Sequence, residues 1–316
     1  MLSRVAERIY WMARYIERSE NIARMIKVNS YLLLDLPRKA RLGWGPLIDI
    51  MGAGELFYSI YKEPSERNVV KFLIGDERNP SSILMSLKSA RENARTIRDI
   101  IPREAWELIN ELYLLAKNEV QTGMTQNHRQ DYLDSIIGGA QQNTGLLAGT
   151  MTHDEGYDFL RMGRNLERAD MTTRLIDVRS ANLLPDQDGA LSPFDNIQWM
   201  SVLKSLTAYQ MYRREMQGPV RRGVVLDFLF KSREFPRAIY HTLGEVESCL
   251  SDLPHNEAPL RSVTHLQRLV KDAEPAKLPP PGLHAFIDDL QLELDKLHGA
   301  IADTYFKTTI QAAASA

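Results

Sequence analysis

A single cysteine, Cys249, stands in 316 residues. That scarcity excludes a disulfide framework, a zinc knuckle built on several cysteines and a two-cysteine redox motif. Histidine is sparse as well, and the seven present are scattered with no His-Glu-x-x-His run. Asp295-x-x-His298 is the only fragment resembling half of a di-iron motif, and that motif needs two Glu-x-x-His units and further carboxylates. No metal and no cofactor are therefore expected. Neither sign of charge dominates: 39 Lys and Arg face 41 Asp and Glu, so the basic excess of a nucleic-acid binder is missing. Long apolar runs are missing too. Tyr31 to Leu34 and Val224 to Leu226 are among the longest, far short of the ~20 residues that cross a membrane. Arg4, Glu7, Arg8 and Arg14 interrupt any signal-like apolar stretch near the start. The expectation is a soluble cytoplasmic protein with no nucleic-acid and no membrane partner. There is no phosphate-binding Gly-Lys loop and no Gly-x-Ser-x-Gly. Gly52-Ala53-Gly54 lies inside a helical pattern, without the strand and third glycine of a dinucleotide fingerprint. No Asn-Gly or Asp-Gly turn joins alternating apolar runs, so hairpins are not expected.

Helical periodicity fills the chain instead. Val5, Ile9, Met12, Ile16, Ser19, Ala23 and Ile26 step at helical spacing. With 44% hydrophobic and 25% charged residues, a chain this long can bury a sizeable core and is not disordered. Proline and glycine punctuate it into helices predicted over 3–36, 44–62, 65–74, 80–100, 102–126, 129–150, 155–183, 196–215, 219–231, 236–251, 258–273 and 282–312. Asn79-Pro80-Ser81 reads as a cap before a first-turn proline, and Ile101-Pro102-Arg103-Glu104 as a second such start. Leu184 to Pro193 and Ala273 to Gly282 read as loops, and Gln311 to Ala316 as a fraying tail.

Compared with itself, the chain matches at an offset of 150: Arg14 with Arg164, Glu17 with Glu167, Arg18 with Arg168, Arg24 with Arg174 and Ile26 with Ile176, while Glu20 faces Asp170. At an offset of 156, Phe72-Leu73-Ile74 faces Phe228-Leu229-Phe230 and Pro80 faces Pro236. At 154, Tyr132-Leu133-Asp134 faces Phe286-Ile287-Asp288. The expectation is an all-α helical bundle, one structural unit over 1–316. It would be built from two pseudo-two-fold-related repeats of about five to six helices each, roughly 1–128 and 129–316, with the helix at 129–150 leading into the second.

At ~100° per residue, Arg14, Glu17, Asn21 and Arg24 share one arc of their helix, apart from the apolar stripe of Met12, Ile16, Ser19 and Ala23. The second copy places Arg164, Glu167 and Arg174 alike, with Arg18, Arg168 and Asp170 beside the two motifs. Three readings stay open. The residues form a structural ion-pair network in which Glu17 pairs with the second copy's arginines and Glu167 with the first's. Or they form a solvated charged face. Or they line an Arg-rich pocket for a carboxylate or phosphate, with Glu17 or Glu167 as orienter or base. Residues without a counterpart in the other copy are secondary candidates: Arg91, Glu92, Asn93 and Arg95, followed by Arg98. Gln141-Gln142-Asn143, His153-Asp154-Glu155 and Gly218-Pro219-Val220-Arg221-Arg222-Gly223 read as caps, loop contacts or breakers, with ligand or anion contact as the alternative.

The motifs Ala13-Arg14-Tyr15-Ile16-Glu17-Arg18-Ser19-Glu20-Asn21 and Gly163-Arg164-Asn165-Leu166-Glu167-Arg168-Ala169-Asp170 resemble the bacterial alpha-E domain family. Ala90-Arg91-Glu92-Asn93-Ala94-Arg95, Trp106-Glu107-Leu108-Ile109-Asn110 and Arg233-Glu234-Phe235-Pro236-Arg237 extend the resemblance along nearly the whole chain. It implies an all-helical fold and no settled activity. It also implies an accessory that is not itself catalytic, in an ATP-dependent peptide or amide modification system. The implied partners are a circularly permuted ATP-grasp ligase and a transglutaminase-like protease. The resemblance assigns no catalytic residue, and a homo-oligomer is compatible with it. The alternative is a helical enzyme or a small-molecule or anion binder whose Arg/Glu pocket lies between the two Glu-Arg helices.

Overall fold

The computed structural model describes residues 1–35, 43–181 and 195–307. Among them it is all-α, with no strand. The order is α1 (Ser3–Asp35), α2 (Gly45–Ile50), α3 (Gly54–Ile60), α4 (Glu66–Ile74), α5 (Ile83–Thr96), α6 (Arg103–Asn118), α7 (Val120–Met124), α8 (Arg129–Thr150) and α9 (Glu155–Ala181). After these come α10 (Asp195–Ser205), α11 (Tyr209–Met216), α12 (Arg222–Lys231), α13 (Ile239–Ser251), α14 (Glu257–Asp272) and α15 (Pro280–Tyr305). A 3-10 turn, Pro275–Lys277, precedes α15.

Helix α1 has no proline or glycine between Ser3 and Asp35, so nothing interrupts its backbone ladder. It is buried on several sides, because α5, α8, α9 and α10 all pack on it. Its partner α9 is capped by Asp154, whose carboxylate accepts from the Gly156 and Tyr157 amides at 2.9 and 3.3 Å. Contacts between the two step in the same direction. Tyr10 meets Gly163, Arg14 and Arg18 meet Glu167, and Asn29 meets Arg179, so α1 and α9 run parallel. Helix α8 runs antiparallel on α1, with Lys27 paired to Asp134 and Ala13 beside Leu147. Helix α15 runs antiparallel on α9, from His284 at Asp177 to Gln291 at Thr173, and its His298 reaches Tyr10 of α1. Helix α13 is antiparallel on α9 as well, with Arg237 just before it at Thr172 and Glu245 at Arg161.

Several predicted helices are broken, each for a local reason. The one over 44–62 divides into α2 and α3 because Gly52 adopts a φ of +60°. A Cβ there would also lie 2.9 Å from Arg174 Nη1. The one over 196–215 divides at Thr207, φ 57°, into α10 and α11. The one over 102–126 divides at Glu119 into α6 and α7. The start at 219 moves to Arg222, and that at 236 to Ile239. The N-cap of α5 is Ser82, which accepts from the Met85 amide, rather than Asn79. Asn79 instead accepts from Ser81 and donates to the Phe72 carbonyl, tying α4 to α5. The expected loop at 273–282 holds the 3-10 turn, and α15 opens at Pro280, since proline is tolerated in a first turn. The expected loop at 184–193 and the tail at 311–316 lie outside the described residues.

Gly163 sits where α9 crosses α1. A Cβ on it would lie 2.3 Å from the Tyr10 carbonyl oxygen, a backbone atom that cannot swing aside. Gly163→Ala is expected to destabilise the fold by about 1–3 kcal/mol, the cost of overpacking. Gly138→Ala, on an exposed turn of α8 with nothing near the added atom, is expected to raise stability through helix propensity. Thermal denaturation of the two variants checks the contrast.

Candidate functional site

The Glu-Arg motifs face each other across the α1–α9 seam, and both central glutamates are buried, Glu17 at 2% and Glu167 at 1% exposure. Arg18 grips Glu167 through two donors, Nε at 2.6 Å and Nη2 at 2.9 Å, and Arg14 Nε adds a third at 2.9 Å. Reciprocally, Arg168 Nε lies 3.1 Å from Glu17 Oε2. Burial by itself would raise both carboxyls. The arginines together outweigh it, holding Glu17 below the ordinary range and Glu167 at about 2. Arg24 and Arg174 close the motif within their own helices, on Glu20 and Asp170.

The Glu17 side has a further anchor that the periodicity of α1 and α9 does not reveal. Arg237, in the turn before α13, donates to Glu17 Oε1 at 2.5 Å, to Asn21 Oδ1 at 2.7 Å and to Glu20 Oε1 at 3.0 Å. Its carbonyl accepts from Thr172 at 3.0 Å, which pins the turn to α9. Pro236 aligns with Pro80, and the position after it is Arg237 in one copy and Ser81 in the other. That unlike pair was the available signal. Beside Glu17, Ala13, Ile16, Asn143, Thr144, Leu147, Leu160 and Arg164 line a small recess of about 20 Å³, room for a single water. Both amide atoms of Asn143 and the Nε of Arg164 are buried there without a hydrogen-bond partner among the described residues.

The Glu167 side is open. A cleft of about 590 Å³ lies between α1, α9 and α15, a volume typical of small-molecule sites. Arg14, Arg18 and Arg174 line it from the seam, and Asp288, Gln291, Asp295 and His298 from α15. His298 Nδ1 lies 2.9 Å from the Tyr10 hydroxyl, which in turn lies 3.3 Å from Arg14 Nη1. Arginine can only donate, so Tyr10 accepts from Arg14, and its hydroxyl shares a second hydrogen bond with His298 Nδ1. Burial, then the charge of Arg14, lowers His298 and keeps it neutral at neutral pH. The sequence held Asp295-x-x-His298 in view only as a metal fragment; the fold makes both residues cleft lining.

The secondary candidates lie elsewhere. Arg91 donates to Asn110 and Glu92 and sits over Trp106 and Tyr113. Arg95 donates to Glu92, and Asn93 accepts from Arg8 at 2.9 Å. Glu92 and Asn93 border a separate cavity of about 390 Å³ near Trp11 and Tyr15. Arg222 is spent on the carbonyls of Ala276 and Leu278, so its turn is a structural junction. Asp177, His284 and Asp288 bring one potential ligand atom each within 4.8 Å of one another. Histidine between two aspartates accounts for that geometry without an ion: Nδ1 is 2.7 Å from Asp177 and Nε2 3.5 Å from Asp288. Cys249 is buried, and burial pushes its thiol up to about 12, far from a ready nucleophile.

Residues 1–306 match the Alpha-E family model, described as a predicted alpha-helical domain with a conserved ER motif. The chain belongs to this family. An uncharacterized protein of Mycobacterium bovis is 20% identical over 326 residues, covering 95% of this chain and 36% of that protein. Uncharacterized proteins from two Mycobacterium tuberculosis strains are 20% and 19% identical over the same length, with the same coverage. The chain thus spans about a third of the length of the curated relatives it matches. No solved structure matches it.

Glu167→Gln would strand Arg14 and Arg18 in the seam, and a loss of about 3–5 kcal/mol is expected from breaking such a buried pair. The folded Glu167 carboxyl lies below its unfolded value, so its contribution is complete at neutral pH. It is lost as pH falls from about 4, the ordinary glutamate range, toward the folded value of about 2. Melting temperatures at pH 7 and pH 3 check both points, and the variant is expected to lose less on acidification than the parent.

Proposed function

We propose that this Alpha-E protein is a non-catalytic accessory of a cytoplasmic, ATP-dependent peptide or amide modification system, working beside an ATP-grasp ligase and a transglutaminase-like protease. The observation that carries the non-catalytic reading is the state of the motif glutamates. Both are buried and saturated by arginines, which suits them to holding helices and not to abstracting protons. The identity of the partners rests on the family resemblance. In the mycobacterial relatives the matching stretch is a minor part of a longer chain, an arrangement suited to a module that works next to others.

The same reading includes an internal duplication. Glu17 with Arg168 and Glu167 with Arg18 exchange places when 150 is added to or subtracted from each number. Asn29 and Arg179, also 150 apart, meet directly at 3.1 Å. Parallel helices joined by such reciprocal contacts are what a pseudo-two-fold axis between two copies would produce. A second reading, a small-molecule or anion binder, is favoured by the open cleft beside Glu167.

A tagged copy purified from its native cells at physiological salt tests the accessory reading. An ATP-grasp ligase among the bound proteins, identified by mass spectrometry, is the expected result. Recovery of the protein alone, or turnover of a peptide or amide by the purified chain, would overturn it.

A further inference from the structure

We propose that the cleft between α1, α9 and α15 binds a molecule carrying both a carboxylate and an ammonium group, an amino acid or an unblocked short peptide. The argument starts from the donors that the seam leaves unspent. Arg18 uses Nε and Nη2 on Glu167, leaving Nη1 without a partner among the described residues. Arg14 likewise leaves Nη2, and Arg174, held to Asp170 through Nε alone with its Nη1 against Gly52, leaves Nη2. A guanidinium offers five N–H donors, so each of these arginines can hold its internal carboxylate and still receive a second one. His298 stands on the same lining, its Nδ1 engaged by Tyr10 and its Nε2 without a hydrogen-bond partner among the described residues.

The α15 lining has the opposite character. Asp288 and Asp295 are one heptad apart on the same helix, with Gln291 between them. Asp295 has no ion-pair or hydrogen-bond partner among the described residues, and Asp288 meets only His284 at 3.5 Å. A simple anion site would place no carboxylates on its rim, because like charges oppose the ligand. A simple cation site would not have three arginines. The two linings together fit a ligand with separated charges of both signs.

The comparison within the chain sharpens this. At the related place on α1 and α8, Ile16 stands for Leu166, Arg164 for Arg14 and Thr144 for His298, and the space is a small recess of about 20 Å³. On that side the second arginine on Glu17, beside Arg168, is Arg237, which comes from outside the two helices. On the Glu167 side the second arginine is Arg14 of α1 itself, and about 590 Å³ stays open. If the network only served to hold helices, nothing would require one of the two places to remain open and lined by charge.

The proposal deepens the accessory reading by naming a substrate class, and its test needs no partner. The purified full chain is titrated by calorimetry at low salt with L-alanyl-L-alanine, its N-acetyl form and its C-terminal amide. The free dipeptide is expected to bind in a saturable way, and each blocked form at least about tenfold more weakly. Asp288→Asn combined with Asp295→Asn, both at exposed positions, is expected to erase the penalty for N-acetylation while leaving the melting temperature unchanged. Arg174→Gln is expected to weaken the free dipeptide and its N-acetyl form alike. Equal affinity for the free and N-acetyl forms would overturn the proposal in favour of an anion site. Tight binding of the amide, or no saturation by any of the three up to about 10 mM, would also overturn it. Dipeptide binding without capture of a ligase would leave the site standing and remove the accessory reading.

Discussion

Two carboxylates, Glu17 and Glu167, are buried where α1 and α9 pack on each other, and the rest of the architecture is arranged to neutralise them. Removing a carboxylate from water costs several kcal/mol, and its partner returns that only with good geometry and enough donors. Here each glutamate receives cations from outside its own helix. Arg18 and Arg14 cross to Glu167, while Arg168 and Arg237 cross to Glu17. Such a seam has one low-energy register, since a slip of either helix by a turn would strand two carboxylates and four guanidinium groups. The close approach of α1 and α9 at Gly163 and the parallel course of the two helices follow from that register.

The two ends of this network differ, and the difference is where function enters. On one side Arg237 reaches in from the turn before α13 and also satisfies Glu20 and Asn21. The recess on that side is small, about 20 Å³. On the other side the arginines carry donors in excess of what Glu167 and Asp170 accept, and the same residues line a cleft. Under the proposal made above, one set of interactions serves both stability and recognition, because the buried carboxylates orient the guanidinium planes in advance.

Helix content, the two Glu-Arg stretches and their pairing partners were legible in the sequence, because periodicity and self-comparison report directly on helix faces. Gly52 and Thr207 were not. Both sit in positive-φ turns that cut helices whose apolar pattern runs straight through. Arg237, named only within a family motif, and His298, named only in a metal fragment, were not placed in the site for a different reason. Each reaches the site from a distant segment, 220 residues from Glu17 in one case and 288 from Tyr10 in the other. No local spacing encodes such contacts. Arg91, Glu92, Asn93 and Arg95 drew attention because they lack counterparts; Arg91, Glu92 and Arg95 form a local cluster with Asn110 and Trp106, and Asn93 accepts from Arg8 of α1, all apart from the Glu17–Glu167 network.

The most direct test of the seam is a double-mutant cycle on Glu167 and Arg18, the bidentate pair between α9 and α1. Stability to denaturant is measured for Glu167→Gln, Arg18→Gln and the double variant. A coupling energy above about 1.5 kcal/mol is expected, because the two residues share a buried pair with two hydrogen bonds. Additivity within about 0.5 kcal/mol would mean that the motif does not bind the helices to each other, and the account built on it would fail.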